Sequence, residues 1–140
     1  MKIICADASP IALARVWRHL RKLVPEAEIT CCITSQKALA NARKKGCDIL
    51  ITCIDFGAMR EEGILLAEEI KELCPRVNII FATAASEGEY TSRILKVRYS
   101  GFLNKPYTEE ELRTELENLR YITEEDIEEI PGIMAENEEL

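Results

Sequence analysis

Asp48-Ile49-Leu50-Ile51-Thr52-Cys53-Ile54-Asp55 is an apolar run rich in Ile, punctuated by Gly46 and Gly57 at its two ends. It reads as a buried strand over 48–54 that runs into a loop. In a sheet of alternating strands and helices, chemistry is placed where a strand ends and its loop begins. Here that position holds Cys53.

The rest of the chain falls into register around this strand. Lys2 to Ala6 reads as a first strand, then Ser9 as an N-cap with Pro10 at the first helical position. A helix to about Leu23 follows. Ile11, Leu13, Ala14, Trp17, Leu20 and Val24 supply its apolar stripe, Trp17 reads as core, and Pro25 stops the helix. Glu28 to Ile33 is a second strand. Ser35 caps a helix through Arg43, with Gly46 at its end. Glu62 to Leu73 is a helix ended by Pro75, and Val77 to Ala82 a fourth strand. Ser86 opens a helix through Val97. Gly101 to Leu103 is a short fifth strand, and Thr108 with Glu111 forms a capping box for a last helix to about Leu119. Five strands separated by crossover helices predict an α/β fold: a five-stranded parallel, doubly wound sheet of the flavodoxin-like order.

Charge divides the chain. Of its 140 residues, 1–120 hold all 18 Lys and Arg against 17 Asp and Glu, whereas 121–140 hold eight acids and no base. We therefore read 1–120 as one domain and 121–140 as an acidic extension. That extension disfavours direct nucleic-acid contact at its end of the chain and reads as a solvated segment. No apolar run approaches a membrane span or a secretory signal, so the expected location is the cytoplasm. The six cysteines include no C-x-x-C pair, and there is one histidine. A disulfide framework or a zinc site is therefore disfavoured, and most of the thiols read as small hydrophobes. Arg15, Arg18, His19, Arg21 and Lys22 make the first helix basic. That face is either solvated or a docking surface for an acidic partner, the chain's own tail included.

Four side chains fall at strand ends: Asp7, Cys53, Thr83 and Lys105. With Ile3-Ile4-Cys5-Ala6-Asp7-Ala8-Ser9-Pro10, Ala82-Thr83-Ala84 and Ser100-Gly101-Phe102-Leu103-Asn104-Lys105-Pro106, this constellation resembles the receiver domains of bacterial two-component response regulators. The segment from Tyr99 to Tyr121 is most similar to receivers of LytTR-type regulators. The resemblance implies phosphorelay signal transduction, with two adjacent acids holding magnesium and an aspartate accepting phosphate. Here Ala6-Asp7 supplies one acid of the pair, and Cys53 occupies the phosphoacceptor position. Thr83 and Lys105 take the places of the anion-binding residues, and Phe102 that of the aromatic switch.

The expectation is a pseudo-receiver: an anion-recognising half kept, a metal-binding half depleted, magnesium weak or absent, and no enzyme activity. It would signal by phosphorylation-independent contact with a protein partner, a histidine kinase or an effector, or as a homodimer. Two alternatives stand beside it. One is a redox-responsive receiver switched through Cys53, its thiol activated by Lys105. The other is a small flavodoxin-fold enzyme, against which no Gly-rich phosphate loop follows the first strand. Each residue also has a plainer reading. Cys53 fills a retired site, Lys105 pairs with Asp7, Asp7 favours a helix N-terminus, and Thr83 is an ordinary strand residue. Asp55, two residues past Cys53, reads as a loop or capping acid rather than a substitute acceptor.

Overall fold

The structure, a computed structural model, describes residues 1–84 and 87–119. The acidic extension therefore lies outside the described residues, as does Ser86. The elements run β1 (Lys2–Ala6), α1 (Pro10–Leu23), β2 (Glu28–Cys32), α2 (Ser35–Lys45), β3 (Ile49–Thr52), α3 (Glu62–Leu73), β4 (Asn78–Thr83), α4 (Thr91–Ile94), β5 (Gly101–Asn104) and α5 (Glu109–Glu117). All strands are parallel, in the order β2-β1-β3-β4-β5. This is the doubly wound, flavodoxin-like arrangement expected.

Strand periodicity splits the core in two, because successive side chains leave a strand on opposite faces. Ile4, Leu50, Ile79 and Phe81 pack with Ala38, Ala67, Ile70 and Ile94 of α2, α3 and α4. Ile3, Cys5, Ile49, Ile51 and Ile80 pack with Leu13, Val16, Leu20 and Leu112 of α1 and α5. β3 and β4 are buried along their whole length, as a central strand covered on both faces must be. β2 lies at the edge, and only Cys32 of its five residues is buried.

Two capping expectations hold. The Ser9 hydroxyl accepts from the Ala12 amide, with Pro10 opening α1. Thr108 and Glu111 exchange both bonds of a capping box. Gly46 ends α2 at φ +83°, a conformation that glycine adopts without steric cost.

Four expectations need correction. The N-cap of α2 is Thr34, whose hydroxyl accepts from the Lys37 amide. Ser35 is the first helical residue, and its hydroxyl donates to Glu62 across to α3. The strand limits move by a residue or two, to the bounds given above. The buried stripe of α1 is Leu13, Val16 and Leu20, whereas Ile11 is 66% and Trp17 45% exposed. Two apolar stripes compete on α1, and only one can meet the sheet. The indole stays outside, with the Arg21 guanidinium 5.5 Å from its ring centre. Finally, the helix expected up to Val97 is broken. A 3-10 turn at Glu87–Glu89, the four-residue α4 and a second 3-10 turn at Leu95–Val97 stand in its place.

Candidate functional site

The sheet's own hydrogen bonds gather the strand-end residues. Where β1 and β3 end, the Cys53 amide donates to the Ala6 carbonyl. Where β4 and β5 end, the Lys105 amide donates to the Thr83 carbonyl, before a cis Lys105–Pro106 peptide. Asp7, Cys53, Thr83 and Lys105 thus meet at the carboxyl ends of the strands, the four positions that sequence alone singled out.

Their side chains form a closed arrangement. Lys105 Nζ donates to Asp7 Oδ2 at 2.5 Å, and Asp7 Oδ1 accepts from the Ser9 amide at 2.9 Å. Asp7 is 8% exposed, so its charge depends on these two partners. Cys53 is 3% exposed. Burial pushes its thiol up to about 12, and the Asp7 charge adds to that; the Ala8 amide and the Lys105 ammonium pull the other way without prevailing. At neutral pH the sulfur is a protonated thiol. Thr83 is buried beside it. Above them lies an open depression of about 580 Å³, lined by Cys53, Asp55, Thr83 and Lys105 together with Arg60 and Tyr90. Phe102 is not among its lining residues. It is half-buried and packs edge-on to Tyr99 at 6.5 Å, against the α2–α3 core.

Asp55 braces the loop after β3. Its Oδ1 accepts from the Glu61 amide at 2.7 Å, and its Oδ2 accepts from the Tyr90 hydroxyl at 3.0 Å. Glu61 takes a left-handed φ of +61° and also pairs with Arg93. Gly63 opens α3 directly against the floor of the site. A Cβ there would lie 1.7 Å from the Cys53 carbonyl oxygen, so no larger residue fits. Sequence reasoning missed both Tyr90 and Gly63. Tyr90 sits in a segment read as regular helix, and the closeness of Gly63 to Cys53 is a tertiary fact. The only trace was a glycine in the first turn of a helix, where its flexibility has no local use.

A hard divalent cation, which the receiver resemblance implies, seeks several oxygen ligands. The site offers the Asp7 and Asp55 carboxylates, each already bonded through both oxygens; Ala6 offers a methyl group and Cys53 a neutral thiol. The residues present do not fit such an ion. Among the described residues, no group of three His, Cys, Asp or Glu side chains is placed to hold a metal.

No helix among the described residues is long and apolar enough to cross a membrane. Comparison with known proteins places these features in context. The family model "Response regulator receiver domain" matches residues 3–117. The transcriptional regulatory protein ZraR of Salmonella typhimurium is 29% identical over 124 residues, which are 89% of this chain. The chain spans about a quarter of ZraR, 26% of its length. Among solved structures, the Vibrio cholerae chemotaxis protein CheY4 superposes with a TM-score of 0.73 at 22% identity, over 83% of this chain and 95% of that one. RcsB from Salmonella enterica serovar Typhimurium, bound to promoter rprA, gives 0.70 at 26% identity, over 86% of this chain and 68% of that one. Sheet order, strand-end constellation and family match agree, and the chain belongs to the response regulator receiver domain family.

Proposed function

We propose that this domain signals in two-component pathways by phosphorylation-independent protein–protein contact, as a pseudo-receiver of the cytoplasm. One observation carries the reading: the acceptor position holds a buried, protonated thiol, while Lys105 is engaged by the one remaining acid, Asp7. An acyl phosphate requires a carboxylate oxygen as nucleophile, and a neutral thiol shielded from solvent is a poor substitute. The depleted carboxylate set leaves no ion to neutralise an incoming phosphoryl group. What persists is a rigid scaffold whose faces are available to a histidine kinase, an effector or a second copy. We assign no direct nucleic-acid contact to this chain. The promoter contact belongs to RcsB, and the match to ZraR covers a fraction of that protein.

The alternative of a redox switch at Cys53 is disfavoured by the same geometry, since thiolate character and access govern thiol reactivity and Cys53 has neither. The test is intact mass spectrometry after acetyl phosphate with magnesium. We expect no adduct; a stable single phosphate mapped to Asp7 or Asp55 would overturn the reading.

A further inference from the structure

Cys5 and Cys31 face one another across the β1–β2 ladder as direct register partners. Side chains of register partners leave the same face of a sheet. Cys5 is 1% exposed within the α1–α5 core, whereas Cys31, on the edge strand, is exposed. Neighbouring strands lie about 4.8 Å apart. That falls inside the roughly 4.4–6.8 Å range over which a disulfide joins two Cα atoms. The neighbouring Cys5 thiol draws Cys31 below its ordinary value, and Cys31, with burial, holds Cys5 well above its own. Cys32 takes no part: it is buried on the opposite face, in the α2–α3 core.

We propose that Cys31 and Cys5 form a two-thiol oxidation site, in which a hydroperoxide converts the pair reversibly into a disulfide joining the edge strand to β1. The Cys31 thiolate attacks a peroxide oxygen, the O–O bond breaks, and hydroxide or alkoxide leaves. Cys31 is then a sulfenic acid. The Cys5 sulfur attacks the Cys31 sulfur, the S–O bond breaks, and the Cys5 proton departs with the oxygen as water. The thiols together give up two electrons, which the peroxide accepts. An external thiol reverses the step by exchange. Exposure puts the attacking sulfur outside, and the ladder holds the resolving sulfur behind it. The site is independent of the strand-end cluster and of the reading given to Cys53.

The experiment treats the native protein with equimolar hydrogen peroxide, alkylates the remaining thiols and reads intact mass and fragmented peptides. The expected product is about 2 Da lighter before alkylation, links Cys5 to Cys31, and reverts with dithiothreitol. The surface variant Cys31→Ser should lose this product. Cys5→Ser should strand Cys31 as the sulfenic acid, about 16 Da heavier, and a further equivalent of peroxide should carry it to the sulfinic acid, about 32 Da heavier. In the wild type, a Cys31–Cys32 link, an intermolecular Cys31 disulfide, a sulfinic Cys31 or an unreacted Cys31 would each overturn the proposal.

Discussion

Cys53 and Cys31 are the same side chain placed at the centre and at the edge of one sheet. β3 is buried throughout, and its following residue, Cys53, is held as a thiol that titrates at about 12. β2 has one buried residue in five, and its exposed Cys31 has a thiol drawn downward by the neighbouring Cys5. On the function proposed above, the acceptor position thus carries the inert sulfur, and the edge strand carries the nucleophilic one. Depth in the sheet, and the partners it brings, decides what a cysteine does.

The contrast breaks most directly at Gly63. Its closeness to the Cys53 carbonyl means that Gly63→Ala must push α3 off the strand end. We expect a loss above about 4 kcal/mol in denaturant unfolding, the scale reserved for severe core disruption. A variant that melts like the wild type would show that the floor around Cys53 yields, and the burial argument would lose its basis.

Next in size is restoration of the acids. Ala6→Asp with Cys53→Asp crowds three carboxylates beside Thr83 and Lys105, which raises their proton affinity and strains the folded state. Without magnesium the double variant should lose about 3 kcal/mol. Magnesium should return most of it by binding only the native form. Thermal melts with and without the ion read this, and acetyl phosphate should then give at least slow phosphorylation. Absence of both effects in a folded variant would mean that the site has been rebuilt beyond these two positions.

Lys105→Ala is expected to cost about 1–3 kcal/mol, because Asp7 keeps its burial and loses its cation. A double-mutant cycle with Asp7→Asn isolates the pair. A coupling near zero would return Lys105 to the pool of anion-binding groups.

The smallest effect is alkaline. A thiol raised from about 9 in the unfolded chain to about 12 in the fold stays protonated in the native state while the unfolded one ionises. Its contribution is therefore fully present below about pH 9 and is lost as pH rises towards 12. Cys53→Ala should remove about 1 kcal/mol of the loss seen between pH 8 and pH 10. An unchanged alkaline slope would place the Cys53 thiol nearer water than its burial indicates.

Local chemistry alone determined the alternation of strands and helices, the Ser9–Pro10 and Thr108–Glu111 helix starts and the four strand-end positions. Each of these rests on neighbours within a few residues: a β-rich apolar run, a hydroxyl three residues before an amide, a proline where no donor is needed. Whether Leu13 or Ile11 faced inward on α1 had no local answer, because both stripes are apolar and only the sheet's surface selects one. The fragmentation around α4 was equally hidden, since Tyr90 is drawn to Asp55, 35 residues earlier in the chain. Gly63 against Cys53 and Cys5 behind Cys31 are likewise contacts between strands and loops far apart in sequence, whereas the Lys105–Asp7 pair was legible as one of two readings and the structure selects it. Pairing of that kind is fixed by register and packing, which come into being only when the sheet closes.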